Sequence, residues 1–137
     1  MTELTSQTQA TIENFLKFLS IRNLNQITKL FSNEVDWFIP GDETKAPWLG
    51  KRSSRKEVEQ FYDLLWSSTE PISAQISNIL IDHENAVITG EFSTKMLQTG
   101  KIVSSLFCIV MIVENNLITK YRLLEDSYAV SKALSQQ

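Results

Sequence analysis

The spacing of apolar residues predicts helices in the first half of the chain. Between about residues 5 and 20 the apolar positions recur every three or four residues, which is the stripe of an amphipathic helix. A shorter helix is predicted at residues 24–31, and a third at residues 54–67. The stripe of the first helix consists of Ile12, Phe15, Leu16 and Leu19, and that of the third consists of Val58, Phe61, Tyr62 and Leu65.

After Pro71 the spacing changes to the period of two that is typical of strands. Strands are predicted at residues 72–81, at residues 86–97, and twice within residues 101–127, where Asn115 and Asn116 form the turn. Three successive hairpin turns predict an antiparallel meander. A shorter strand at residues 34–40 precedes the third helix and ends at Pro40.

The segment at residues 41–52 is rich in glycine, proline and charge, and it is long for a loop in a small domain. It predicts a binding loop or lid at the mouth of a pocket. Four cations surround the start of the third helix, and they form either a solvated face or an anion site. These cations are Lys51, Arg52, Arg55 and Lys56.

Helices that precede a run of strands predict an α+β fold in one domain, residues 1–137. The expected architecture is a cone-shaped, curved antiparallel sheet wrapped around three helices, with one open end. The strand from Leu106 to Val113 is apolar at nearly every position, and helices cover only one face of a sheet. We therefore expect a homodimer that buries the other face.

Composition excludes several classes of function. A net charge of −3 gives no field that would attract nucleic acid or an anionic membrane. There is no apolar run of 18 residues and no signal-like leader, so a cytoplasmic protein is expected. The lone Cys108, expected as a buried apolar residue, forms no intrachain disulfide, and the lone His83 lies at a predicted hairpin tip. No metal site, phosphate loop or Ser-His-Asp set can be assembled, and no cofactor is expected.

The strongest candidate for chemistry is Asp126, at the end of the last predicted strand. A carboxyl group among apolar neighbours is desolvated, which raises its pKa and allows proton transfer near neutral pH. Arg122, four residues earlier, shares its face in a regular strand. It would either bind a substrate oxygen or neutralise Asp126 as a structural ion pair.

Aromatic residues are candidates for the wall of the pocket, although the same spacing fits core packing. Glu91 interrupts an apolar strand and either binds substrate or carries an outward charge. Tyr128 is a candidate hydrogen-bond donor at the pocket mouth. The aromatic candidates are Trp37, Trp48, Tyr62 and Trp66.

Several segments resemble the SnoaL-like branch of the nuclear transport factor 2-like superfamily, which includes polyketide cyclases and ketosteroid isomerase-related proteins. The resemblance rests on VDWFIPG, PWLGKR, RKEVEQFY and LITKYRLLEDSYAV. It implies a conical α+β barrel with an internal apolar pocket, and a dimer formed through the sheet. It places the acid of the SnoaL-like cyclases at Asp126. Limonene epoxide hydrolases in the superfamily use an Asp-Arg-Asp set, of which Arg122 and Asp126 would be two members and Glu91 or Asp36 the third.

These observations predict a protein that holds a small apolar molecule in an internal pocket. As an enzyme it would be a cofactor-independent isomerase, cyclase or hydratase (lyase) with Asp126 as the acid/base. The alternatives are a non-catalytic binding module for a lipophilic ligand and a dimeric interaction protein.

Overall fold

Four helices and six strands make up the structure, a computed structural model that describes residues 2–136. In chain order the elements are α1 (Glu3–Ser20), α2 (Leu24–Thr28), β1 (Phe31–Ile39), β2 (Gly50–Arg52), α3 (Arg55–Ser68), β3 (Thr69–Asp82), β4 (Asn85–Met96), β5 (Ile102–Glu114), β6 (Leu117–Glu125) and α4 (Ser127–Ala133). The α+β fold and all three predicted helices are confirmed, and the short α4 is a fourth.

The strands form one curved, unclosed sheet in the order β2-β1-β6-β5-β4-β3. Strands β3 to β6 are the predicted antiparallel meander. The β5–β6 turn uses Asn115 and Asn116 with φ of 52° and 63°, a conformation that asparagine tolerates well. Strand β1, however, runs parallel to β6, so the sheet is mixed and not wholly antiparallel as predicted. The alternation of apolar and polar residues indicates which side chains share a face of the sheet. It does not indicate whether two strands run parallel or antiparallel, so this pairing could not be predicted from it.

The two faces of the sheet differ in what covers them. The inner face, defined by Tyr121, Met111 and Ala86 in neighbouring strands, packs against the helices and is almost inaccessible to solvent. The outer face, defined by Arg122, Val110 and Val87, is more accessible: these three side chains are partly exposed, and Leu106 and Leu124 on the same face are exposed.

The core beneath the inner face is dominated by aromatic rings. Trp37 of β1 stacks on Tyr121 of β6 with ring centroids 4.0 Å apart, as the parallel register of the two strands requires. Tyr62 of α3 and Phe31 contact the same pair. Such ring pairs contribute about 0.5–1.5 kcal/mol each beyond the apolar area that they bury.

The segment at residues 41–52 differs from the expected lid. Its last three residues form β2, which pairs with β1, and Ala46, Trp48 and Leu49 are buried. The three buried side chains anchor this segment to the core, and its role as a binding loop or lid stays a prediction.

The cations at the start of α3 stabilise local structure. Arg52 donates to the Glu57 carbonyl at 2.7 Å, and Arg55 donates to the Phe31 carbonyl at 2.9 Å. Ser54 caps the helix, and the Glu57 carboxylate accepts from the Ser53 amide. Arg52 and Arg55 thus hold backbone carbonyls of the fold, whereas Lys51 and Lys56 are exposed, as in the solvated face that the sequence also allowed.

Within residues 2–136, none of the helices has the length and apolarity that a membrane span requires.

Candidate functional site

The alternation of side chains along β6 decides which acidic residue faces the helices. Tyr121, Leu123 and Glu125 lie opposite Met111, Ile109 and Phe107 of β5, on the inner face. Leu124 points to the outer face and is 48% exposed. A step of one residue along a strand moves a side chain to the other face of the sheet. The inward acid at the end of β6 is therefore Glu125.

Glu125 is a desolvated carboxyl group. Its residue is only partly exposed, and burial raises the pKa of Glu125 from 4.5 to about 7. Among the described residues, no hydrogen bond or ion pair to its side chain offsets the desolvation. A carboxyl group with a pKa near 7 holds and releases a proton at neutral pH, which is the property a general acid/base requires.

The surroundings of Glu125 on the inner face are apolar and aromatic. Across the sheet from it lie Phe107, then Gly90, then Ile76, in one row of neighbouring strands. A Cβ atom on Gly90 would lie 2.8 Å from the Phe107 ring, so that ring occupies the space above the glycine. Phe92 is 6.2 Å from Phe107, centroid to centroid. Two aromatic rings thus form a wall beside the carboxyl group.

Two phenol hydroxyls lie on the core side of Glu125. Burial raises the pKa of Tyr121, and the neighbouring Glu125 carboxylate raises it further. Burial also raises the pKa of Tyr62, with an added contribution from Tyr121. The two hydroxyls interact, but the Tyr62 hydroxyl makes no hydrogen bond of good geometry. Both phenols therefore stay protonated, and each keeps an O–H that can donate.

Asp126 does not occupy the position that the sequence predicted. It is exposed, and its carboxylate accepts a hydrogen bond of 2.9 Å from the Ala129 amide as the N-cap of α4. Its own amide donates to the Ser105 hydroxyl. The expected desolvation among apolar neighbours is absent because β6 ends at Glu125 and the chain turns into the helix there.

Arg122 pairs with Asp36 rather than with Asp126. One guanidinium nitrogen lies 2.9 Å from the Asp36 carboxylate, and the other donates to the Asp36 carbonyl at 2.8 Å. This pair is on the outer face, where the Asp36 side chain is 66% exposed. Two members of the suggested Asp-Arg-Asp set thus meet, but Asp126 takes no part in their ion pair, and the pair faces away from the helices.

The remaining predicted site residues are dispersed. Trp37, Trp48 and Tyr62 are core residues, which was the alternative that their spacing allowed. Trp66 is half-buried between Tyr62 and the Arg22 guanidinium, which lies 5.8 Å from the centroid of its ring. Tyr128 on α4 is 70% exposed.

Two surface concavities lie near the ends of the central strands. One of about 400 Å³ is lined by residues 105–108 of β5 and by Leu124, Glu125 and Asp126. The other, of about 500 Å³, lies over β3, β4 and β5, and Glu91 is among its lining residues. Glu91 is exposed and opposite Leu106 on the outer face. Its row adjoins the row that contains Glu125, but the two side chains point to opposite faces of the sheet. Cys108 is half-buried on that outer face and not fully enclosed.

The residues from Thr2 to Gln136 include no group of three or more histidine, cysteine, aspartate or glutamate side chains that could hold a metal ion.

The sequence interpretation missed Glu125, although the chain carries a signal for it. Tyr121 and Leu123 share its parity, and two apolar residues of one parity indicate the buried face of a strand.

Comparison with known proteins agrees with this architecture. An NTF2-like protein from Burkholderia xenovorans superposes with a TM-score of 0.85 over 96% of this chain and 98% of that chain, at 14% identity. An epoxide hydrolase of M. tuberculosis, described as LEH-like, gives a TM-score of 0.74 over 95% and 90% of the two chains, at 15% identity. A candidate isomerase from Bacillus subtilis gives 0.83 over 99% and 98%, at 11% identity.

One curated protein has a higher sequence identity to this chain than these three structures have. UPF0523 protein B from Dictyostelium discoideum is 30% identical over 92 residues, which are 66% of this chain and 51% of that protein. The chain thus spans about half the length of this curated relative. Residues 12–121 match the SnoaL-like domain, from the first helix to the phenol of β6. The chain belongs to the SnoaL-like domain family.

Proposed function

We propose that this protein transfers a proton on a small apolar substrate, with Glu125 as the acid/base. The substrate is held at the end of β6, in the concavity that Phe107 and Glu125 line. The observation that carries the proposal is the unpaired, desolvated Glu125 carboxyl beside two aromatic rings. The reaction class is a cofactor-independent isomerisation, cyclisation or hydration. The names of the epoxide hydrolase and the candidate isomerase among similar folds support this class.

The roles follow from the chemistry of each group. The ionised Glu125 removes a proton from a carbon next to a carbonyl, and the acid form returns it at a second position. Phe92 and Phe107 bind the flat apolar part of the substrate. The Tyr121 hydroxyl, on the same face of β6, donates toward the oxygen on which negative charge develops.

The proposal is tested without a known substrate by following hydrogen–deuterium exchange at carbon. A panel of neutral aromatic and alicyclic ketones is incubated with the protein in D₂O, and loss of the α-proton signals is followed by NMR. We expect catalysed exchange for part of the panel, with a rate that rises with pH through about 7 as Glu125 ionises.

Two variants assign the acid. Glu125→Gln removes the proton chemistry and should lower the exchange rate by about 10²–10⁴-fold. Asp126→Asn is the matched control, because asparagine caps a helix about as well as aspartate and leaves α4 intact. Loss of exchange in Asp126→Asn with retention in Glu125→Gln would contradict the proposal and return the role to Asp126.

The alternative is a pocket that binds without catalysis. It is favoured if panel members perturb the NMR signals of Phe92 and Phe107 but exchange no faster than in buffer. The nearby Tyr121 hydroxyl argues for catalysis, because a pure lipophile site has no need of a second polar group beside the acid.

A further inference from the structure

Strand β3 is an exposed edge of the sheet. It hydrogen-bonds to β4 on one side, and it is the last strand in the sheet order. In the described part of the chain, the backbone of residues 71–81 makes no hydrogen bond to anything but β4. An edge of this kind presents a row of unpaired amide and carbonyl groups, which is a template for another strand.

The side chains of this edge lack the usual protection. Residues 71–81, PISAQISNILI, contain no charged residue. Four of the eleven large apolar residues that the described chain exposes lie on this strand: Ile72, Ile76, Ile79 and Leu80. Natural edges are generally blunted by inward charges, prolines or bulges. Here only Pro71 and two irregularities of register, after Pro71 and after Ile76, serve that purpose.

The exposed apolar residues lie on both faces of the strand. Ile79 lies opposite Ile88 on the inner face and is 44% exposed, whereas Leu80 lies opposite Val87 on the outer face and is 61% exposed. A helix or a flat protein surface laid on the sheet would cover one of these faces. Only an added strand covers both and also satisfies the free backbone groups.

A second copy of this chain supplies a strand of the required kind. Strand β3 is itself uncharged and apolar on both faces, so two copies related by a twofold axis bring no like charges together near the axis. The other edge of the sheet, β2, has three residues and carries Lys51 and Arg52, so it does not offer an equivalent partner.

We propose that two copies of the chain associate by antiparallel pairing of β3 with β3, centred on residues 78–81, which follow the second irregularity. In such a pairing, opposite residues share a face. A twofold axis near Ile79 therefore places this residue beside its own copy, and Leu80 beside the outer-face residues of the partner strand. This contact is separate from burial of the outer face of the sheet.

Light scattering and analytical ultracentrifugation from about 1 to 500 µM test the pairing, with Leu106→Lys as the starting protein. Leu106 is 74% exposed at the centre of the outer face, so this change removes association through that face. We expect Leu106→Lys to form dimers through β3. Adding Ile79→Lys places two ammonium groups opposite each other and should weaken the dimer by at least about tenfold. Leu80→Lys is the second variant if the first does not fold by circular dichroism, because it also places an ammonium group within residues 78–81.

A covalent probe identifies the strand. In a Cys108→Ser background, Ile79→Cys should give an intermolecular disulfide under mild oxidation, whereas Glu59→Cys on the exposed face of α3 should not. A monomeric Leu106→Lys protein across the whole concentration range would overturn the proposal. Equal dimer stability with and without Ile79→Lys would also overturn it, and would assign the contact to another surface or partner.

Discussion

At the scale of single residues, Glu125 is the carboxyl group whose pKa burial raises to about 7. Its pKa near 7 arises from burial without a partner, so the fold holds the proton that the unfolded chain would release. A glutamate at an exposed position would lack this desolvation and would keep the ordinary pKa of its carboxyl group. The same property that suits the group for proton transfer makes it a site where ionisation opposes folding.

The stability of the protein should therefore fall as pH rises through this carboxyl group. The folded pKa of Glu125 lies above the unfolded value of 4.5, so the native state binds more protons between pH 4.5 and about 7. The contribution is fully present below the unfolded pKa and is lost as pH rises through the folded one. From pH 5 to pH 8 we expect a loss on the order of 1–3 kcal/mol.

Urea unfolding at several pH values measures this effect, and Glu125→Gln is the control. The variant lacks the titrating group, so its unfolding free energy should vary less with pH than that of the parent, while all other groups contribute equally to both. Parallel pH profiles for the two proteins would show that Glu125 titrates normally in the fold.

The acidic residue at the end of β6 could be predicted from the sequence only in part. The chain pattern located the end of the last strand as the site of an acid, but assigned Asp126 rather than Glu125. Composition cannot show which of two successive acidic residues points to the inner face of the sheet. The parity of Tyr121 and Leu123 ranks them, because the buried phenol and its neighbour on the same face define which side of β6 meets the helices.

At the scale of elements, β4 allows the close packing of the sheet near the site. Gly90 lies beneath the Phe107 ring, and a Cβ atom there would be 2.3 Å from the Gln75 carbonyl oxygen of β3. That oxygen belongs to the backbone and cannot move aside as a flexible side chain does. The glycine thus keeps β3 and the Phe107 ring close together, and it shapes the aromatic wall beside Glu125.

Gly90→Ala should accordingly destabilise the protein by about 1–3 kcal/mol, because one added methyl group forces the strands or the ring to shift. Equilibrium urea unfolding measures the loss. Glu91→Ala, the next position in β4, has an exposed side chain without a hydrogen bond or ion pair among residues 2–136, and should change stability by less than about 0.5 kcal/mol. An unchanged Gly90→Ala would mean that β3 yields easily at this point.

The elements themselves were largely readable from the sequence, since periods of 3.6 and 2 residues reveal helices and strands directly. The parallel pairing of β1 with β6 and the pairing of β2 within a supposed loop were not readable. Both depend on contacts between segments far apart in the chain. Trp37 was likewise visible as an aromatic on a strand, but only the register with β6 shows that it stacks on Tyr121.

At the scale of the whole molecule, the outer face of the sheet is the surface through which we expect the protein to associate. Val110 and Ile112 are half-buried there, while Leu106 and Leu124 are 74% and 48% exposed. A monomer rarely leaves an apolar area of this kind in water. The expectation of a homodimer through this face, made from the alternation of β5, stays a prediction.

Substitution within the apolar face tests that prediction by its effect on mass. In solution at micromolar concentration the parent protein should be a dimer or larger. Leu106→Lys or Leu124→Lys should lower the measured mass by abolishing the outer-face contact, because each substitution would bury an ammonium group there. Tyr128→Lys is the matched control, since Tyr128 is 70% exposed but lies on α4. Light scattering that shows only monomers of the parent, or the same mass for Leu106→Lys as for Tyr128→Lys, would leave the outer face without a partner. If association through β3 also holds, Ile79→Lys should retain the outer-face dimer. Only the double variant should be monomeric, because one change acts at the β3 edge and the other on the outer face of the sheet.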